Sequence, residues 1–586
     1  MITVFVGFYI SKRASKDLDS YFLGGKSIPW YVLGISNASG MFDITGTMWL
    51  VYTVYVYGLK GAWIPWIYPM FNQIFLMVYL SGWLRKSNVL TGAEWIKTRF
   101  GDGRGAHLSH IIVVVFAVVG VIGFLSYGFK GIGKFASVFL PFDLSPNTYG
   151  LIFMGITTLY VVKGGMFSVV FTELLQFFVM LVASIAVGII AINAVSPEAI
   201  AAVTPSGWDN LFFNWHLDLN WKGLMDAVDQ RIIDDGWNMF GFFFVMMLFK
   251  GILVSAAGPA PNFDMQRILS ARSPSEAAKM SGIVNIVLLF PRYFLIAGLT
   301  VLALVFMKDD FLAMGSEIDF EMILPYTVRR FLPVGIAGLL IAGLLAAFMS
   351  TFAATVNAAP AYLVNDIYKK YINPNAPDKT YVRLSYLSSV LVVVVGISFG
   401  FMAESINSVT LWIVSGLWGG YTASNVLKWY WWRFNGFGYF WGMTAGILAS
   451  LIMPVAFPGF PALEAFPIVL VVSLLGSYLG SLMTAPVADE VLMDFYENVR
   501  PWGFWKPVLE KCQQRDPSIM ANTNFKRDLF NVIIGMVGQM AITVLPIYLV
   551  IQNWGNAGWA LAILVAVLVI LKKTWYDRLD DNYSLR

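Results

Sequence analysis

The stretch ISNASGMFDITG at residues 35–46 interrupts a run that is otherwise compatible with lipid. PWYVLG precedes it and TMWLVYTVYVYG follows, yet between them stand Asn37, Ser39, Asp43, Thr45 and two glycines, Gly40 and Gly46. A carboxylate near the bilayer centre costs at least ~2.5 kcal/mol on insertion scales, and each glycine lowers helix propensity by roughly 1 kcal/mol against alanine. Asn, Ser, Asp and Thr also offer the backbone local partners that compete with the helical ladder. The stretch predicts a helix broken in mid-membrane, which is tolerated only where it is buried in protein or lines a water-filled cavity. Discontinuous helices of this kind hold solutes and coupling ions in secondary transporters. The alternative is an intact helix whose small residues only permit close packing.

Working outward, 58% of the 586 residues are hydrophobic and 13% charged, against about 25% charged in soluble domains. The chain reads as an all-α polytopic membrane protein. Fourteen apolar runs are long enough to span a bilayer, and the opening MITVFVGFYIS (1–16 with its polar flank) reads as a short or truncated fifteenth helix. If 11–26 is cytoplasmic, strict alternation puts 29 of the 39 Lys and Arg on the cytoplasmic side, eight outside, and only Lys250 and Arg292 within spans. That asymmetry obeys the positive-inside rule. It predicts a multi-pass protein of the cell (inner) membrane, with the N-terminus outside and the C-terminus cytoplasmic.

Other function classes lose support in the same reading. The net charge of +4 is dispersed along loops, so no basic stripe marks a nucleic-acid partner. Cys512 is the only cysteine, which leaves no disulfide framework or thiolate metal site. His107 and His110 share a helical face without an acidic partner in sequence and read as interfacial structure. No nucleophile–base pair or paired catalytic carboxylates are found, so the chain does not read as an enzyme. The Trp-rich stretch WDNLFFNWHLDLNW at 208–221 is expected to rest at the membrane surface. The segment 486–527 is expected to be a helix, a Pro/Gly break and a second helix.

A second polar stretch lies in LAAFMSTFAATVNAA at 345–359. Ala347, Ser350 and Thr351 fall at i, i+3 and i+4 and share one helical face. One carbonyl and two hydroxyl oxygens there make half of a hard-cation site; the rest could come from carbonyls freed by the break at 35–46. On spacing alone, a small-residue face of this kind is more often a packing seam.

Five stretches together resemble the sodium:solute symporter family: DSYFLGGKSIPWYVLGIS (19–36), VLTGAEWIKTRFG (89–101), YVVKGGMFSVVFTELLQ (160–176), MQRILSARSPSEAAK (265–279) and the run from Leu345 to Pro374. The resemblance implies the leucine-transporter fold, with inverted five-helix repeats at about 29–194 and 236–430 inside a core of 17–485. The loop 486–527 and a C-terminal helix pair with tail, 528–586, follow that core. It implies alternating access driven by Na⁺ as coupling ion. The family's sodium ligands fall on the carbonyls of Ser39, Phe42 and Ala347 and the hydroxyls of Ser350 and Thr351. A possible second cation site falls on Glu173, Ser350 and Thr355, with Lys250 or the backbone as an alternative partner for Glu173.

The solute is expected beside the break. Candidate lining residues are Asp43, Thr45, Thr47, Trp66, Tyr68, Asn72, Asn238, Trp412 and Trp418. The family's sugar-binding groups fall on Val254, Ala257, Leu288, Trp66 and Gly46, so the galactose-type pattern is absent. Asp43 can meet an amine, accept from hydroxyls, or support the sodium site. A free carboxylate repels anions, which favours a neutral or amine-bearing small polar solute such as a sugar, polyol, nucleoside or amino-acid-like molecule. The expected partners are that solute, Na⁺ and the lipid bilayer; the sequence specifies no oligomeric state. The competing class is a membrane sensor that keeps the fold and signals through 486–527.

Overall fold

The computed structural model describes residues 26–67, 70–87, 92–161, 166–211, 216–235, 240–259, 263–457, 460 and 463–579. Among these residues there is no β-strand, only an isolated bridge between Trp431 and Phe504.

The helix break lies within the stretch singled out above. α1 (Trp30–Met41) ends at Phe42, whose backbone leaves the helical region at φ −93° and ψ 70°, and α2 (Ile44–Tyr57) begins after Asp43. Asp43 is the N-cap: its side chain accepts from the Gly46 N–H at 2.8 Å, and its carbonyl accepts from Thr47 Oγ1 at 2.6 Å. Such a cap satisfies one of the orphan N–H groups of a helix start, and a carboxylate there complements the positive end of the helix dipole.

The chain continues through 3₁₀ turns over Gly58–Ile67 and a helical run from Asn72 to Lys86. α3 (Arg104–Phe139), α4 (Pro146–Val161) and α5 (Met166–Ala194) follow. After a connector come α6 (Phe240–Ala256), the short α7 (Phe263–Ser270), α8 (Pro274–Phe306) and α9 (Val334–Pro360), which runs on as π-helical turns to Ile372. α10 (Asp378–Met402) leads to a run at Ile406–Leu417 that passes directly into α11 (Trp418–Tyr430). The remaining elements are α12 (Gly436–Ala456), α13 (Ala465–Leu482), α14 (Asp489–Val499), α15 (Lys506–Arg515), α16 (Phe525–Val550) and α17 (Trp554–Thr574).

Nine described helices are each long and apolar enough to cross a bilayer. Fewer qualify than the fourteen apolar runs of the sequence because spans at 29–57, 61–83 and 407–430 are divided internally, while α4 and α6 have only 16 and 17 residues. α8 is the most enclosed of the nine, with 78% of its apolar window buried, against 22% for α17 at the other extreme. α8 therefore sits at the centre, packed on α1, α2, α5 and α16.

Two expectations about connectors meet different outcomes. In the Trp-rich stretch, of which 212–215 lie outside the described residues, both described tryptophans turn into the protein. Trp208 and Trp221 are buried and donate from Nε1 to the carbonyls of Tyr55 and Val56 at 3.1 and 3.2 Å, folding the connector onto the end of α2. The indole N–H groups find partners at a helix end whose last carbonyls lack intrahelical ones. The segment 486–527 does form two helices, α14 and α15, broken at Arg500 and Gly503, both at positive φ. Trp505 is buried and donates to the Trp429 carbonyl at 2.8 Å, and Trp502 stacks on Tyr430 at 5.0 Å. The Arg99 guanidinium lies over the Trp505 ring at 4.9 Å and bonds the carbonyls of Lys428 and Phe434 at 2.9 and 3.0 Å, bridging the segment to the end of α11. The segment is thereby fastened to the end of α11.

Candidate functional site

The break opens onto a cavity of about 340 Å³, in the range of small-molecule sites. α1 and α2 contribute Met41, Asp43 and Gly46; α3 contributes Phe116, Phe124 and Tyr127. α8 adds Asn285, Leu288 and Arg292, α9 adds Phe348, Thr351 and Thr355, and α11 adds Trp418. Among the described lining residues only Asp43 and Arg292 carry a formal charge.

Asp43 is not a free carboxylate. Its Oδ2 accepts from the Gly46 N–H and from Tyr127 Oη, both at 2.8 Å, and its Oδ1 lies 3.3 Å from Arg292 Nη2. Arg292 Nη1 donates to the Met41 carbonyl at 3.1 Å. One guanidinium therefore spans the break, touching the carbonyl end of α1 and the cap of α2. Gly46 makes the convergence possible. A Cβ there would lie 2.6 Å from Asp43 Oδ1, 2.7 Å from Tyr127 Oη and 2.8 Å from Arg292 Nη2.

On another face of α1, Thr351 Oγ1 donates to the Gly40 carbonyl at 3.2 Å, and Ala347 is buried one turn earlier on α9. The Ser39 carbonyl accepts the Phe42 N–H at 3.1 Å. The break thus brings a hydroxyl of α9 against the last carbonyls of α1, with the contact at Gly40, one residue beyond Ser39. Ser350 turns elsewhere, donating to Glu173 Oε1 at 3.2 Å.

Of the three residues of the possible second cation site, Glu173 and Ser350 are in contact at 3.2 Å and the Thr355 hydroxyl is turned to its own helix. Glu173 is buried and held by Arg267 Nη2 at 2.6 and 2.7 Å, and Ser36 Oγ donates to it as well. Its charge is already matched, while Thr355 Oγ1 donates to the Thr351 carbonyl at 2.7 Å within its own helix. Lys250 is not the partner of Glu173: its Nζ lies 5.1 Å from the centre of the Phe466 ring.

The other sequence candidates divide. Asn72 and Trp418 line the cavity, and Asn72 Nδ2 donates to the Gly258 carbonyl at 3.2 Å. Thr45 also lines it but is pressed onto Gly131 of α3, where a Cβ would meet its Oγ1 at 2.0 Å. Thr47, Trp66 and Trp412 are not lining residues. The Thr47 hydroxyl is used on the Asp43 carbonyl, Trp66 packs on Trp63 at 4.3 Å, and Trp412 packs on Gly123. Tyr68 and Asn238 lie outside the described residues. Sequence reasoning missed Arg292 and Tyr127 as site residues. Arg292 carried a signal, as one of two basic residues inside spans; Tyr127 is one aromatic among many and carried none.

Trp49 closes one end of the cavity, donating from Nε1 to Asn407 Oδ1 at 2.8 Å, and Asn407 Nδ2 reaches Asp235 Oδ1 at 3.2 Å. Tyr52 and Tyr57 donate to the same aspartate, which pairs with Arg231 at 3.2 Å. His107 and His110 both contact Tyr371, and His110 Nε2 lies 3.5 Å from Asp366. That cluster joins α3 to the π-helical turns after α9 and suits the interfacial reading.

A helix broken at a cavity, with a hydroxyl of a later helix against its last carbonyls, is an arrangement suited to a cation-coupled carrier. The pattern of the sodium:solute symporter family matches residues 21–446. The chain belongs to the sodium:solute symporter family. It is a multi-pass membrane protein that couples the symport of a small solute to Na⁺. Sodium/glucose cotransporter 4 of Danio rerio is 25% identical to this symporter over 76% of the chain and 69% of its own length. The high-affinity proline transporter PutP of Bacillus subtilis is 26% identical over 84% of the chain and 98% of its own length. The structure of a Na⁺-coupled sialic acid symporter matches this symporter with a TM-score of 0.60 at 18% identity, over 83% of this chain and 96% of that one. The symporter accordingly has the leucine-transporter fold expected from its sequence.

Proposed function

We propose that this symporter carries a net-neutral polar solute, such as a sugar, a polyol or a zwitterion, in the cavity beside the Asp43–Arg292 pair. One observation supports this reading most: the two charges among the cavity's described lining residues cancel. A solute of net charge would meet no uncompensated partner there and would lose its hydration without return. Asp43 is engaged by three donors, so the case for an amine-bearing cation weakens and the case for a neutral molecule strengthens. The aromatic wall of Phe116, Tyr127 and Trp418 suits the apolar faces of such a molecule. The names of the relatives, a sodium/glucose cotransporter and a proline transporter, are consistent with this class.

Sodium would bind between the carbonyls of Ser39, Gly40 and Phe42 and the Ala347–Thr351 turn of α9, with Thr351 already at the Gly40 carbonyl and Ser350 turning to the ion from Glu173, an all-oxygen set suited to a hard cation. The contact between Thr351 and the Gly40 carbonyl supports that placement. Repeats at about 29–194 and 236–430 would rock around it, in a cell membrane with the N-terminus outside and the C-terminus cytoplasmic. The burial of Trp505 against α11 favours a fastening role for 486–527 over a signalling one.

Uptake into proteoliposomes under a sodium gradient tests the solute class. D-glucose, D-mannose, myo-inositol and L-proline represent net-neutral solutes; lactate and choline represent the charged ones. Accumulation of one of the first four is expected, and accumulation of lactate or choline alone would overturn the reading.

A further inference from the structure

α16 lies beyond the residues matched by the family pattern, yet it reaches the cavity. Its Gln539 is a lining residue, and its Nε2 donates to the Met70 carbonyl at 2.7 Å. The approach is close: one turn earlier, a Cβ on Gly535 would lie 2.7 Å from Ile74. α16 is therefore pressed against the helical turn that carries Gln73, a second lining residue.

The two glutamines share an unusual condition. The Oε1 atoms of both Gln73 and Gln539 are buried and have no hydrogen-bond partner among the described residues. A buried acceptor without a donor is costly, and polar groups within membrane-spanning helices are sparse and concentrated where function needs them. The amide donor of Gln539 is already committed to Met70, so its oxygen is the end left to offer. Two unsatisfied acceptors on one cavity wall call for a ligand that brings donors.

We infer that Gln73 and Gln539 form the donor-recognising end of the solute site, accepting hydroxyl or ammonium hydrogens of the solute. This rests on the net-neutral reading of the cavity. It makes the C-terminal helix pair part of the specificity apparatus rather than an accessory to the core. The solute would lie with one end at the Asp43–Arg292 pair and a donor-rich end at the glutamines.

The test compares wild type with Gln539→Leu, and with Gln73→Leu should the first variant fail to fold, for sodium-driven uptake of D-glucose, D-mannose, myo-inositol and L-proline. For the solute that wild type accumulates, the leucine variant is expected to raise KM about tenfold, leaving kcat and sodium half-saturation within about twofold. Analogues of that solute lacking one donor (deoxy or N-methyl forms) refine the result. One of them should raise the wild-type KM to the variant's value while leaving the variant's KM unchanged. An unaltered KM in the leucine variant overturns the inference and leaves the solute class standing. A joint loss of kcat and sodium affinity, with every analogue affected equally in both proteins, shows a structural prop and also overturns it. Accumulation of none of the four by wild type overturns the net-neutral reading, and the inference with it.

Discussion

Arg292 Nη2 lies 3.3 Å from Asp43 Oδ1 across 249 residues of sequence, so among the described lining residues the one carboxylate at the helix break is matched by the one guanidinium on the facing wall. Removing either partner leaves a charge in a site that is mostly enclosed, with side-chain exposures of 12% and 18%. Asp43→Asn and Arg292→Gln are each expected to lower kcat/KM at least about tenfold, because an unpaired, partly buried charge is more costly than no pair at all. The double variant is expected to recover part of that loss. Sodium-driven uptake kinetics of the four proteins check this, and additive losses would show that the residues act independently.

Gly46 sets the geometry of that pair. Gly46→Ala places a methyl within 2.8 Å of three polar atoms, Asp43 Oδ1, Tyr127 Oη and Arg292 Nη2, and overpacking of this kind costs about 1–3 kcal/mol. A folded, membrane-inserted protein with transport reduced about tenfold or more is expected, since 1.4 kcal/mol is a factor of ten. Uptake normalised to protein in the liposomes provides the check.

Glu173 and Arg267 form a pair with side-chain exposures of 1% and 3%. Breaking such a pair from one side costs about 3–5 kcal/mol, whereas removing both members is far milder. Glu173→Gln should therefore lower the melting temperature in detergent sharply, and Glu173→Gln with Arg267→Gln should restore much of it. A Glu173→Gln protein of wild-type stability whose sodium dependence alone changes would instead place the carboxylate at a cation.

Cys512, the only cysteine, is buried in α15, and burial pushes its thiol up to about 11 from an ordinary 9.0. The thiolate is the reactive form, so iodoacetamide at pH 8 is expected to leave the native protein unmodified and to label it once after denaturation, read by intact mass. The sign for stability follows from the raised value. The contribution is fully present below pH 9 and falls as pH rises from 9 towards 11, because the folded state holds the proton more tightly.

The break at Phe42 and Asp43 was legible in the sequence because local chemistry dictates it: a capping carboxylate and two glycines compete with the ladder wherever the rest of the chain lies. The approach of Thr351 to α1 was legible through periodicity, whereas the turn of Ser350 towards Glu173 was not. The partner of Glu173 was not, since Arg267 sits on a separate short helix and only the packing of α5, α7 and α9 brings it to the carboxylate. The fate of Trp208 and Trp221 was equally hidden. An amphipathic, aromatic stretch suits a membrane surface and a helix end alike, and the free carbonyls at the end of α2 decide between them. Gln539 escaped notice because a lone amide in a span has no period to reveal which way it faces.

The proposed sodium ion lies between the last carbonyls of α1 and α9, where Thr351 meets Gly40 at 3.2 Å. The most direct measurement is the sodium dependence of uptake by wild type and by Ser350→Ala with Thr351→Ala. Loss of two of the proposed oxygen ligands predicts a half-saturating sodium concentration raised at least about tenfold, each hydroxyl contributing about 1 kcal/mol or more. An unchanged sodium dependence in a folded, transporting variant would contradict the placement of the ion.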